Sequence, residues 1–241
     1  TLATIIFQTN QNEQHGGQAI PAFDFFMAKG VAKSFRKHLS SFINFYVAME
    51  NGIQADEKAI RTLIKEYLPS IQSGERERET LRIALIALQI NIDKEHLARI
   101  IEKAYQQTRK ETHQAMEALI HNLNTMNSRA GAQVPFSSVN YGTDTSEEAR
   151  MVVRNLLTAT EDGLGGGETP IFPVQIFKVK EGVNFNPGDP NYDLFQLALK
   201  TSAQRLFPNF SFIDAPFNLQ YYRPGDYNTE VAYMGCRTRV M

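Results

Sequence analysis

The feature that most constrains the fold is a change of pattern near residue 130. Before it, apolar residues recur at helical spacing over long stretches; after it, short β-prone runs alternate with shorter amphipathic segments among Gly, Ser, Asn and Pro. From residue 22 to about 49 the repeat runs through Phe35, Leu39, Phe42, Ile43 and Tyr46. This is one stripe of a helix, opened by Pro21 and closed by Asn51-Gly52. Asp56-Glu57-Lys58 starts a second helix that Pro69 stops, and the alternating Glu75-Arg76-Glu77-Arg78-Glu79 marks a solvated helix face. Residues 93 to about 122 place Leu97, Ile100, Ile101, Ala104, Tyr105, Met116, Leu119 and Ile120 at core spacing. The opening segment, residues 4–9, suits either a short strand or the end of a helix.

After residue 130 the run Val134-Pro135-Phe136-Ser137-Ser138-Val139-Asn140-Tyr141 reads as a buried strand with a polar end. Ser146-Glu147-Glu148 starts a helix that Gly163 ends. Residues 171–179, 210–213 and 231–234 are further strands, and 192–206 a further helix. Strands that alternate with helices pair in parallel through helical crossovers. The expected class is α/β: a helical first part, about 19–124, and about 125–241 forming part of an α/β barrel or sheet, together one partial domain over 1–241.

Bulk properties remove several function classes. Hydrophobic residues at 42% and aromatics at 10% supply a core and argue against disorder. A net charge of -1 gives no electrostatic case for a duplex nucleic acid or an anionic membrane as partner. The most apolar window, residues 83–90, is far shorter than the roughly 20 residues a membrane span needs. Residues 1–7 lack the basic start and cleavage site of a secretory signal. With one cysteine there is neither an internal disulfide nor a cysteine-only zinc cluster, so a cytoplasmic protein is expected. The chain opens on Thr1 and closes on Arg237-Thr238-Arg239-Val240-Met241 without a terminal signal, so both ends read as cut from a longer chain.

Chemistry has few places to reside. Cys236, in Met234-Gly235-Cys236-Arg237-Thr238, follows the last strand and sits beside Arg237 and Arg239, neighbours that depress a thiol pKa. A lone cysteine is more often a small core hydrophobe. His15, His38, His96, His113 and His121 show no metal-ligand spacing; helix faces account for them, and no metal site is expected. A Gly-x-Ser-x-Gly nucleophile elbow is absent. The run Gly163-Leu164-Gly165-Gly166-Gly167-Glu168-Thr169-Pro170 lacks the Gly-Lys-Ser/Thr of a phosphate-binding loop and is either a linking loop or a substrate-side loop. Residues 127–140 gather Asn127, Ser128, Arg129, Gln133, Ser137, Ser138 and Asn140 around a strand. Ligands collect at strand ends in α/β folds, although an ordinary turn into a strand accounts for part of the pattern.

Four blocks, in order, carry a resemblance. They are Gln11-Asn12-Glu13-Gln14-His15-Gly16-Gly17-Gln18-Ala19-Ile20-Pro21-Ala22-Phe23-Asp24, residues 127–143, Gly167-Glu168-Thr169-Pro170-Ile171-Phe172-Pro173, and Asn228-Thr229-Glu230-Val231-Ala232-Tyr233-Met234-Gly235-Cys236-Arg237-Thr238. In them the chain resembles the anaerobic (class III, glycyl radical) ribonucleoside-triphosphate reductases. The resemblance implies a ten-stranded glycyl-radical-type α/β barrel with Cys236 on a finger loop inside it. A glycyl radical, installed by an S-adenosylmethionine iron–sulfur activating enzyme, would oxidise Cys236 to a thiyl. The thiyl would take the ribose 3′-hydrogen, the 2′-hydroxyl would leave as water, and formate would commonly supply the reducing equivalents. Asn127, Ser128, Arg129, Gln133, Ser137, Ser138 and Asn140 would line the ribonucleoside triphosphate pocket, their donors suiting its acceptors.

The resemblance also implies a homodimer formed through the long helices, with a deoxynucleotide or ATP effector site. There Lys29, Lys33, Arg36 and Lys37 would meet the effector phosphates; a solvated basic face explains them equally well. The family's second active-site cysteine, glycyl radical loop, four-cysteine zinc site and ATP-binding module are missing from these residues, as is any Arg-Val-x-Gly-Tyr motif. The expectation is therefore a fragment that binds no cofactor of its own and does not turn over alone. Two other readings stay open: a glycyl radical enzyme of acyltransferase or dehydratase type, and a non-catalytic nucleotide-sensing helical module in which Cys236 belongs to the core.

Overall fold

The computed structural model describes residues 2–12, 17–51, 56–126, 134–224, 226, 229–235 and 238–240. The chain divides into two units: residues 1–27, 113–145 and 149–241 form one, and 28–112 with 146–148 the other.

The first unit is built on a four-stranded parallel sheet. Its strands β1 (Gln18–Ile20), β2 (Ser137–Tyr141), β3 (Val174–Val179) and β4 (Asn209–Phe212) lie in that order. Between them run α6 (Glu147–Asp162), from β2 to β3, and α7 (Tyr192–Arg205), from β3 to β4. All five positions of β2 and all six of β3 are buried, as strands covered on both faces require. One face is apolar and aromatic. Phe177 packs on Phe195 of α7 at 6.0 Å between ring centroids and on Phe210 of β4 at the same separation. Gln175 donates to Thr160 of α6 at 2.8 Å and accepts from the Tyr141 hydroxyl at 2.8 Å.

Three short elements of this unit are absent from the sequence reading: β1, the helix α8 (Pro216–Leu219) and β6 (Thr238–Val240). The opening segment, which suited either strand or helix, is a helix, α1 (Leu2–Asn12), with Ala3 and Phe7 buried. The last expected strand, β5 (Ala232–Met234), does not join the parallel sheet; it pairs antiparallel with β6, Met234 opposite Thr238. Only three residues separate the two strands, and a parallel crossover needs a dozen or more.

The second unit is helical, taking in residues 28–51 of α2 (Phe23–Asn51), α3 (Glu57–Tyr67), α4 (Glu75–Ala87) and residues 94–112 of α5 (Lys94–Thr125). Phe35, Leu39, Ile43 and Val47 recur every four residues along α2 and are all buried. They share that core class with Ile60 and Ile64 of α3, Leu81 and Leu85 of α4, and Leu97, Ile101 and Ala104 of α5. The Asp56 side chain caps α3, accepting from Lys58 N at 2.9 Å and Ala59 N at 3.2 Å, and Pro69 follows just past its end. Among the described residues no helix is long and apolar enough to cross a membrane.

Candidate functional site

Side chains alternate across a strand, so Ser138 and Asn140 leave β2 on one face, and the register puts Lys178 of β3 on that same face. This is the face opposite Tyr141, Phe177 and the helices that cover them. All three side chains are buried and all three are committed. Asn140 binds the Tyr233 backbone twice, its Oδ1 accepting from Tyr233 N at 2.8 Å and its Nδ2 donating to Tyr233 O at 2.9 Å. The same Nδ2 donates to Ile20 O of β1 at 3.2 Å. Ser138 Oγ accepts from Gly235 N at 2.8 Å and donates to Gln18 O at 3.0 Å. Lys178 Nζ donates to Glu230 Oε2 at 2.9 Å, and each side chain of the pair is only 2% exposed. Thr143 adds a bond to the same Glu230 oxygen at 3.3 Å.

Gly235 has φ +64°, a left-handed conformation that side chains resist, and a Cβ there would meet the Phe136 ring at 3.1 Å. The same ring closes on Gly17, where a Cβ would stand 2.9 Å away. The two glycines thus let Phe136 pack between the segment before β1 and the end of β5.

At the C-terminal ends of β2 and β3 a second polar cluster shapes the loops. Asp24 accepts from Phe25 N at 3.0 Å, Gly142 N at 2.8 Å and Asp144 N at 3.2 Å. Burial nonetheless raises its carboxyl above the ordinary value, outweighing those three bonds. Burial also holds the Tyr141 hydroxyl well above its usual range, with the Asp24 charge adding to it. Asn184 donates to Gly142 O and Lys178 O, both at 2.9 Å, and Asn191 donates to Asp144 O at 2.9 Å. Lys180, beyond β3, is pulled down by burial, but its bond to the Tyr222 hydroxyl at 3.0 Å and the Glu230 charge prevail and raise it.

Of the residues singled out in the sequence, Ser138 and Asn140 share one face, while Ser137 points to the other, its hydroxyl buried and without a hydrogen-bond partner among the described residues. Asn127, Ser128, Arg129, Gln133 and Cys236 lie outside the described residues, as does His15. The glycine-rich run folds back on itself through Leu164 N to Glu168 O at 2.9 Å and Gly167 N to Leu164 O at 2.6 Å. His113 comes together with Glu117 and Asp162, their ligand atoms within 4.8 Å of one another, both carboxylates exposed.

In the helical unit, Lys33, Arg36 and Lys37 of α2 line a cavity of about 480 Å³ together with Arg61 and Lys65 of α3. Lys29 does not line it. Arg36 also donates to Pro69 O at 2.6 Å. Sequence reading singled out Lys33, Arg36 and Lys37, with Lys29, but not the α3 cations that line the same cavity. Their Arg61-x-x-x-Lys65 spacing puts both on one helix face, but nothing in a single sequence aligns that face with α2. Lys178, Glu230, Asp24, Asn184 and Asn191 were missed too, each being one polar residue in an otherwise ordinary strand, loop or helix start.

The described residues thus define a parallel sheet with one buried polar face, to which Asn140 and Ser138 tie the segment Tyr233–Gly235. A family profile described as anaerobic ribonucleoside-triphosphate reductase matches residues 1–241. The chain belongs to that family. Among curated relatives, the anaerobic ribonucleoside-triphosphate reductase of Enterobacteria phage T4 is 36% identical over 147 residues, 61% of this chain and 23% of that protein. Proteins of the same name from Haemophilus influenzae and Escherichia coli are 35% and 34% identical, covering 54% and 56% of this chain and 17% and 18% of theirs. The aligned part of this chain thus spans about a fifth of the length of the curated relatives it matches.

Proposed function

We propose that this chain is the part of an anaerobic ribonucleotide reductase that presents the radical cysteine to a ribonucleoside triphosphate. The observation that carries the reading is the family match over 1–241 joined to the hairpin, whose Gly235, next before Cys236, is bonded to the buried face of the parallel sheet. Cys236 would take the 3′-hydrogen of the ribose, after which the 2′-hydroxyl departs as water. A glycyl radical outside these residues, installed by an S-adenosylmethionine iron–sulfur enzyme, supplies the oxidising equivalent, and formate the reducing ones. Shielding from solvent suits such chemistry, and the sheet face beside the hairpin is buried throughout β2 and β3.

In this reading β2, β3 and β4, within about 125–241, belong to a ten-stranded barrel, and β1, from the segment before α2, pairs with them at β2. The helical part, about 19–124, then serves dimerisation and effector binding in a cytoplasmic homodimer. Asn127, Ser128, Arg129 and Gln133 belong to the nucleotide side of the site, while Ser138 and Asn140, already bonded to Gly235 and Tyr233, hold the hairpin behind it and Ser137 points to the opposite face of β2. Five cations around one cavity support an effector triphosphate at Lys33, Arg36, Lys37, Arg61 and Lys65, with Lys29 one turn before Lys33 on α2. No residue of this chain is assigned to zinc. The family match favours this reading over an acyltransferase, a dehydratase or a stand-alone sensor.

The test is Cys236→Ser in the full-length reductase that contains this sequence. It should abolish deoxynucleotide formation while the glycyl radical still forms and registers by electron paramagnetic resonance. Retained product formation would overturn the reading, as would ribonucleotide reduction by the isolated 241 residues.

A further inference from the structure

We infer that Ser138, Asn140 and the Lys178–Glu230 pair are positioning residues that set where the chain delivers Cys236. The inference rests on the reading of Cys236 given above and concerns how it is held. Three points along the approach, Glu230, Tyr233 and Gly235, are each tied by a buried side chain to one sheet face. The ties are of different kinds. Asn140 pairs with Tyr233 as a neighbouring strand would, through one donor and one acceptor, and so fixes the register of β5 as well as its distance. Ser138 accepts from the amide of Gly235, the residue next before Cys236. Both side chains also bond the backbone of β1, so the hairpin, β2 and the edge strand are joined through two residues.

A hairpin of two three-residue strands is too short to hold its own place, and an isolated one is marginal in water. Its position therefore has to come from outside, and these polar ties provide it at fully buried positions where they are strong. Hydrogen transfer between sulfur and a ribose carbon depends steeply on distance, and misplacement by about 1 Å can cost on the order of a hundredfold in rate. The side chains act through the backbone, so their loss should lower kcat without weakening nucleotide binding.

The experiment compares Ser138→Ala, Ser138→Thr and Asn140→Asp with Cys236→Ser in the full-length reductase. Ser138→Ala removes a single atom and is the variant best able to keep the fold, which its melting temperature reports. Asn140→Asp keeps the acceptor for Tyr233 N and loses the donor to Tyr233 O and Ile20 O. At equal glycyl radical content, kcat should fall roughly tenfold to a hundredfold in Ser138→Ala and Asn140→Asp, with KM for the ribonucleotide unchanged within about twofold. Ser138→Thr, which keeps the hydroxyl, should retain more kcat than Ser138→Ala. Unchanged kcat in both while Cys236→Ser is inactive would overturn the positioning role. A raised KM at unchanged kcat would assign the two side chains to nucleotide binding instead. Activity in Cys236→Ser would overturn the reading of the cysteine itself.

Discussion

The two units bury their chains by opposite means. In the helical unit the interior is mainly apolar, built from Phe35, Leu39, Ile43, Ile60, Ile64, Leu81 and Leu85 with Ser40, Thr108, Thr112 and Glu148 as buried exceptions, and the described ion pairs stay largely at the surface. Arg61 and Glu57 are 59% and 55% exposed, and Lys94 and Glu75 are 66% and 78% exposed. In the sheet unit a lysine–glutamate pair lies inside, accompanied by buried Asp24, Asn140, Asn184 and Asn191. The difference follows from what each kind of element must satisfy. A helix bonds its own backbone, so its neighbours need only fill space. The loops that leave a parallel sheet carry backbone groups with no partner of their own, and buried side chains have to supply one.

The sharpest way to break this contrast is to sever one ion pair in each unit. Glu230→Ala strands Lys178 in the interior and should cost about 3–5 kcal/mol of stability by chemical denaturation. Replacing both partners with apolar residues, Lys178→Met with Glu230→Leu, should recover most of that loss. Arg61→Ala should leave stability unchanged within error while weakening binding of an effector triphosphate, since its exposed partner Glu57 remains solvated. In the helical unit the sensitive change is instead a cavity: Ile64→Ala, at a position with no exposure, should cost about 3 kcal/mol.

Acid titration sharpens the comparison at smaller amplitude, because one carboxyl in each unit is shifted in opposite directions. The Asp24 carboxyl is raised above its ordinary 3.8 by burial. Its contribution is fully present below 3.8 and is lost as pH rises through the folded value. Glu111 is pushed up by burial, but bonds to His38 at 2.8 Å, Gln107 and Ser34 prevail and lower it from its ordinary 4.5. Its contribution is present above 4.5 and is lost as pH falls through the folded value. On acidification from pH 7 to 3, the gap between parent and Glu111→Gln should close, while Asp24→Asn should lose ground to the parent. A common direction for both pairs would break the contrast.

The helices were legible because four-residue periodicity is a local signal that core burial later obeys, as with Phe35, Leu39 and Ile43. Three-residue strands leave no such signal; β1 and β6 exist through their partners. Asn140 and Ser138 stood out as polar residues in a strand, yet their bonds reach Tyr233 and Gly235, 93 and 97 residues downstream. Lys178 sits in Val-Gln-Ile-Phe-Lys-Val, where only the partner 52 residues on explains a buried charge.

The order of strands also has a consequence in time. β2, β3 and β4 follow one another through single helices, but β1 pairs with β2 across a gap bridged by Gln18 and Ser138, 120 residues apart. At roughly 5–20 residues per second, a ribosome makes β1 roughly 6–24 s before the strand that will flank it. During that interval the edge of the future sheet is a lone segment awaiting its template. The two side chains that tie the hairpin to β1 can therefore act only after residues 232–240 have emerged as well.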